Sequence, residues 1–309
     1  MEVLRHFPAT AVAPTVLTIG NFDGVHIGHQ AVLGALCRQA QALSTQSCVM
    51  TFEPHPREFF MPQQAPARLT SLREKLELFE AAGIQIVHVC HFDAAFAAVS
   101  AQAFIRDILH QSLDACAVLV GEDFCFGAKR GGTLETLRAG GEQFGFDVLP
   151  VPKIMLGDER VSSTAIREAL AVGDLQRAKA LLGRDYSISG LVVHGDKLGR
   201  ELGYPTANVQ MHHDKPPLTG IYAVKLRLSQ SGDLPGVASL GVRPTVKADG
   251  KPTLEVHLFD FDGELYGQHV QVHFLQKIRE EQKFADIEAL KRQITLDEQA
   301  ARNYFKNEK

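Results

Sequence analysis

The stretch "TIGNFDGVHIGHQ", residues 18–30, decides how the first part of the chain folds. It closes an apolar run, "TVLTIG" (15–20), that reads as a short buried strand. It leads into "HQAVLGALCRQAQAL" (29–43), where Val32, Leu33, Leu36 and Leu43 recur at helical spacing. Gly20 and Gly24 permit a tight turn and the close approach of a ligand. The helix that follows offers free N–H groups and the positive end of its dipole, which favours an anion. His26 and His29 are three apart and share a face on the first turn. By itself the cluster admits a phosphate chain, a zinc ion or a capped turn in a core. Zinc needs further Cys, His or carboxylate ligands, and no obvious partner pair follows. The pattern is neither GxGxxG nor the P-loop, which needs Gly-Lys-Ser/Thr.

Outward from this junction, strand-like "SCVMTF" (47–52), "IQIVHVCHF" (84–92), "ACAVLVGEDF" (115–124) and "FDVLPVP" (146–152) alternate with helical segments. The helices are "LTSLREKLELFEAAG" (69–83), "SAQAFIRDILHQSL" (100–113) and "TLETLRAGGEQFG" (133–145). Alternation to about residue 150 predicts a doubly wound parallel sheet with helices on both faces, and a ligand at the carboxyl ends of the strands. "GNFDGVHIGH" and "GEDFCFG" occupy such ends. "TFEPHPREFF" (51–60) reads as a loop stiffened by two prolines, with His55 between them. Two further helices are expected at 162–174 and 175–183.

After Gly183 the texture changes to short, often alternating strands separated by Gly, Pro and Asp, such as "GIYAVKLRLSQSG" and "LEVHLFDFDGELYG". That pattern predicts an antiparallel barrel or sandwich, closed by an amphipathic helix at 284–305. The expected domains are 1–183 and 184–309. A chain of 309 residues fits two domains better than one core. The formal net charge of −4 argues against a general nucleic-acid binder. Five cysteines without a CxxC point to reduced thiols in a cytoplasm. The N-terminus does not read as a signal peptide, and no run is long enough to span a bilayer, so no membrane partner is expected.

"GNFDGVHIGHQ" resembles the GxFDGxHxGH signature of the HxGH nucleotidyltransferases, and "VSSTAIR" (161–167) resembles their ISSTxxR signature. With "TFEPHPREFF" and "VGEDFCFGAKRGG" (120–132), in this order, the first domain resembles the adenylyltransferase half of the bacterial bifunctional riboflavin kinase/FAD synthetases. The resemblance implies that His26 and His29 contact the phosphates of ATP, and that Gly20, Asn21, Phe22, Asp23 and Gly24 shape the nucleotide pocket. Ser162, Ser163 and Thr164 would cap a helix and offer hydroxyls to the phosphates, with Arg167 one turn on as a charged fork. Asp123, Phe124, Phe126 and His55 would border the flavin. FMN would attack the α-phosphorus of ATP with loss of pyrophosphate, giving FAD.

"VVHGDKLGRELGYPTANV" (192–209) is the second dense segment. Gly195, Gly199 and Gly203 make a flexible loop carrying Lys197 and Arg200, suited to a phosphate chain. Thr206 and Asn208, two apart in an extended segment, point the same way and are hard oxygen ligands suited to Mg2+. The stretch resembles the GxxLGxPTAN signature of riboflavin kinases, with "GVASLGVRPT" (236–245) and "LEVHLFDFDGELYG" (254–267) in the expected order. The resemblance covers residue 186 to the end. It implies that Thr206 and Asn208 hold Mg–ATP and that Glu255 takes the proton from the riboflavin 5′-hydroxyl. It also implies that Arg279 borders the flavin. The competing reading is another HxGH nucleotidyltransferase with an accessory barrel, which has no need of the PTAN and LEVHLFD segments.

Overall fold

Five consecutive residues, Thr15–Ile19, are buried on both sides, as a central parallel strand requires. The structure, a computed structural model, describes residues 1–11, 13–195, 199, 202–228, 231–242 and 252–307. By contacts these divide into two units, Met1–Pro66 with Leu72–Ser162, and Ala67–Ser71 with Ser163–Lys309.

In the first unit, β1 (Glu2–Leu4), β2 (Thr15–Ile19), β3 (Gln46–Glu53), β4 (Ile86–His91), β5 (Ala115–Gly121) and β6 (Asp147–Val151) form a six-stranded sheet. Its order is β1-β4-β3-β2-β5-β6, and every pairing is parallel. The two-residue side-chain period separates two cores. Leu17, Cys48, Met50 and Val118 lie in one, together with Leu109 and with Leu137 of α6 (Leu134–Phe144). Val16, Val49, Val87 and Ala117 lie in the other, with Leu33 and Leu36 of α1 (Ile27–Ala42) and Phe79 of α3 (Leu72–Ala81). Helices therefore cover both faces, as the alternation predicts. The chain leaves β2 toward β3 on one side, while β5 lies on the other. β2 is thus the topological switch point, where such sheets bind ligands.

Several segments differ from expectation. β1 is an exposed edge strand with no alternating pattern to reveal it. The expected loop in "TFEPHPREFF" contains a short helix, α2 (Pro56–Phe60), with Pro56 at its first position. The helix expected from residue 100 begins as α5 (Ala101–Ala103), after the short α4 (Ala94–Ala97), and widens to π-helical geometry over Phe104–Ser112. A small hairpin, β7 (Met155–Leu156) with β8 (Glu159–Arg160), follows β6.

In the second unit, α7 (Ser163–Ala171) and α8 (Leu175–Leu182) precede a closed antiparallel barrel. Its strands are β9 (Tyr186–Val193), β10 (Ala207–Met211), β11 (Gly220–Leu228), β12 (Ser231–Val242), β13 (Pro252–Leu258) and β14 (His269–Arg279), in the order β10-β13-β12-β11-β14-β9. Leu254, Val256 and Leu258 of β13 are buried, while the alternating Glu255 and His257 are half-exposed. The terminal helix α9 (Ile287–Asn307) places Ala301 in one cluster with Ile221, Ala223 and Val237 of the barrel.

Candidate active sites

The turn after β2 is held in a costly backbone conformation. Phe22 and Val25 have φ of 49° and 39°, and Gly24 has φ of 83°. The turn is tied to β3 by the Gly20 N–H, which donates to the Met50 carbonyl at 3.1 Å, and by the Thr51 hydroxyl, which donates to the Asn21 carbonyl at 3.3 Å. It ends at His26, the N-cap of α1. His26 Nδ1 accepts the His29 backbone N–H at 3.2 Å, and the two imidazoles stack with centroids 3.6 Å apart. Accepting at Nδ1 makes that nitrogen the unprotonated one, so Nε2–H is left as the donor. Phe22 sets its edge against His29 at 5.0 Å and so fixes the second ring. Asp23 and His26 are buried, and the side-chain oxygen of Asn21 is buried with no hydrogen-bond partner among the described residues. A buried acceptor of that kind is costly unless a ligand or water serves it.

"GEDFCFG" follows β5, the sheet neighbour of β2. Phe126 belongs to the core, stacked on Phe124 with centroids 5.4 Å apart. Asp123 accepts from Arg160 at 3.0 Å, with Lys153 3.6 Å away. Burial opposes ionisation of Asp123, but the Arg160 hydrogen bond and both cations outweigh it and hold the carboxyl below its usual range. His55 is the N-cap of α2: its Nδ1 accepts the Arg57 N–H at 3.1 Å, and Glu58 accepts the His55 N–H at 3.1 Å. Beyond it Phe59, Phe60 and Met61 are exposed, an apolar patch just past the carboxyl end of β3. In sequence "EFF" looks like core, so only the fold reveals this patch.

Ser162 is the last residue of the first unit. Ser163, Thr164 and Arg167 belong to the second, on the first turns of α7. Ser163 is half-buried and Thr164 exposed. The Arg167 Nε donates to the Ala67 carbonyl at 2.6 Å.

On the barrel, Asn208 lies opposite Glu255 across β10 and β13, and Ser239 of β12 flanks Glu255 on its other side. The Thr206 hydroxyl donates to Glu255 Oε2 at 3.4 Å. A Cβ at Gly195 would overlap the Asn208 amide, and one at Gly199 would strike the Tyr204 carbonyl and the Thr206 side chain. The loop glycines therefore make room for the two polar side chains. Gly203 has φ of 88°. Lys197 and Arg200 lie outside the described residues. His257 Nδ1 contacts the Pro205 carbonyl at 2.9 Å, and Tyr204 shares a hydrogen bond with Thr295 of α9 at 2.7 Å. Arg279 is committed elsewhere: its guanidinium donates to both Asp297 carboxylate oxygens, at 2.8 and 2.6 Å. Hard oxygens at Thr206 and Asn208 beside Glu255, in a cradle a Cβ would fill, suit a magnesium ion carrying phosphate.

A nucleotidyltransferase-like sheet and a kinase-like barrel, each with its own polar site, define a two-part transferase. A family model described as FAD synthetase matches residues 9–165, and one described as riboflavin kinase matches 182–305. The chain is 46% identical over 308 residues to the bifunctional riboflavin kinase/FMN adenylyltransferase of Escherichia coli (strain K12), covering 99% of this chain and 98% of that protein. It is 47% identical over 307 residues to the protein of the same description from Haemophilus influenzae, covering 99% of each. It also matches a crystal structure described as that of a macrolide-efflux protein from Streptococcus pneumoniae, with a TM-score of 0.82, 29% identity and coverage of 98% and 99%. Among the described residues no helix is long and apolar enough to cross a membrane. The chain belongs to the bifunctional riboflavin kinase/FMN adenylyltransferase family.

Proposed function

We propose that the chain makes both flavin cofactors, with the kinase in 184–309 and the adenylyltransferase in 1–183. In the first reaction the riboflavin 5′-hydroxyl oxygen attacks the γ-phosphorus of ATP. Its proton passes to Glu255, ADP leaves, and FMN forms. In the second, a phosphate oxygen of FMN attacks the α-phosphorus of a second ATP. Pyrophosphate leaves, and FAD forms.

The observation that carries the kinase reading is the convergence of Thr206, Asn208 and Glu255 on one patch of the barrel. Magnesium, held by the Thr206 hydroxyl and the Asn208 amide oxygen, would neutralise charge on the phosphates. The residues themselves position the acceptor and remove its proton. In the adenylyltransferase, His26 Nε2–H and His29 at the start of α1 are proposed to stabilise the charge that builds on ATP phosphates, a reading supported by the strained turn that fixes the two rings. Ser162, Ser163, Thr164 and Arg167 are proposed to bind the same nucleotide. Asp123, Phe124, Phe126 and His55 are proposed to border FMN, with Asp123 and His55 acting through the loops they brace. Arg279 is proposed to border riboflavin by holding α9 in place. The five unpaired cysteines agree with a reducing, cytoplasmic setting.

The test is incubation of the chain with riboflavin and Mg–ATP, followed by chromatography of the flavins. FMN and then FAD are expected. Absence of both products refutes the reading.

A further inference from the structure

The ladder between β10 and β13 stops one residue short of Thr206. Its register pairs Ala207 with Val256, Asn208 with Glu255 and Val209 with Leu254. One step further in the same register, Thr206 faces His257. Cross-strand partners in an antiparallel pair share a face, and so do residues two apart on one strand. Thr206, Asn208, Glu255 and His257 therefore occupy the four corners of one patch. Asn208 and Glu255 are held by the paired strands. Thr206 precedes β10, and Pro205 before it has no N–H to give to a ladder.

A side chain takes over where the ladder ends. His257 Nδ1 lies 2.9 Å from the Pro205 carbonyl oxygen. That oxygen can only accept, so Nδ1 carries the proton and donates. The peptide between Pro205 and Thr206 is planar, so a fixed carbonyl also fixes the N–H and Cα of Thr206. The bond from the Thr206 hydroxyl to Glu255, at 3.4 Å, is long for O–H···O and holds Thr206 only weakly. The imidazole is itself placed by two aromatic rings. Tyr204 meets it edge-on with centroids 5.4 Å apart, and Phe259 does so at 6.2 Å.

We propose that His257 is a positioning residue of the kinase: its Nδ1–H holds the Pro205 carbonyl and so keeps Thr206 in place for Mg–ATP. The inference rests on the reading above, in which Thr206 holds that nucleotide. The role of the ring is geometric. It requires a donor at the Nδ1 position, and no charge, acid or base on the imidazole.

The experiment is steady-state kinetics of the full chain carrying His257→Ala, His257→Asn, His257→Gln, Thr206→Ala, or Thr206→Ala with His257→Ala. Asparagine carries an N–H donor at the same number of bonds from Cα as Nδ1, and glutamine carries one at the place of Nε2. His257→Ala and His257→Gln should raise KM for Mg–ATP in FMN formation about threefold to tenfold, the value of one hydrogen bond. His257→Asn should stay within about twofold of wild type, as should KM for riboflavin and the rate of FAD formation from FMN in every His257 variant. On Thr206→Ala, which should itself raise KM for Mg–ATP, His257→Ala should add less than about twofold, because it acts through Thr206. Equal KM values for the Asn and Gln variants overturn the inference, and that comparison decides even where His257→Ala does not fold. Full addition of the two alanine effects also overturns it, and leaves the Thr206 assignment intact. A Thr206→Ala chain with an unchanged KM for Mg–ATP overturns both.

Discussion

His26 Nδ1 accepts the backbone N–H of His29, and the two rings stack 3.6 Å apart. His26 thus caps the helix, and its proposed second role, donating to phosphate through Nε2, separates from the first by mutation. His26→Ala should cost about 1 kcal/mol of stability with the lost cap, and should abolish FMN-to-FAD conversion. His26→Asn, whose side-chain oxygen can cap, should recover the stability but not the activity. Thermal melts and an FAD assay give the two readings; recovered activity in His26→Asn would remove the proposed donor role.

Glu255 is the proposed base. Glu255→Gln should lower FMN formation by about 10²–10⁴-fold, the range of general-base catalysis, while conversion of supplied FMN to FAD continues. Equal loss of both activities would argue against two separate sites.

Gly195 has no room for a side chain beside Asn208. Gly195→Ala should push the amide aside and raise KM for Mg–ATP in the kinase reaction, at a structural cost of about 1–3 kcal/mol. FAD formation from FMN is the internal control, and an unchanged kinase KM would show that Asn208 does not hold the nucleotide.

Arg279 and Asp297 form a largely buried, two-pronged pair joining β14 to α9. Asp297→Ala leaves the guanidinium without its carboxylate and should cost about 3–5 kcal/mol, visible as a lowered Tm. If melting is unaffected, the pair does not anchor the helix.

His88 is buried on β4, stacked with Phe7 at 5.4 Å, between Leu4 of β1 and Met50 of β3. Burial lowers its pKa from 6.5 to about 4. The unfolded chain binds this proton first, so the His88 contribution to stability should fall as pH drops from about 6.5 to 4 and change no further below that. The loss should reach about 3 kcal/mol. Denaturant melts across that window should show His88→Gln with a flatter profile; an identical slope would assign the acid loss to other groups.

The sheet and barrel were legible because their residues obey a period. The runs at 15–20 and 115–120 are mostly apolar throughout, as strands buried on both faces must be, and β13 alternates because only one of its faces is buried. β1, α2 and the 155–160 hairpin were not legible, since short exposed segments carry no burial pattern.

The sequence by itself determined the chemistry on offer. It showed paired imidazoles at a helix start, hydroxyl and amide oxygens in "YPTAN", and a carboxylate at 255, because residue type and local spacing fix what a short segment can donate or accept. Tertiary structure decided which of these groups meet. Thr206 and Glu255 are 49 residues apart and touch only because β10 pairs with β13 in one register. Packing likewise commits Arg279 to Asp297 and Asp123 to Arg160, whereas His55 caps its own helix through residues two and three places on. A side chain's local chemistry is written in the sequence, but its partner is chosen by strand register and packing, which are properties of the whole fold.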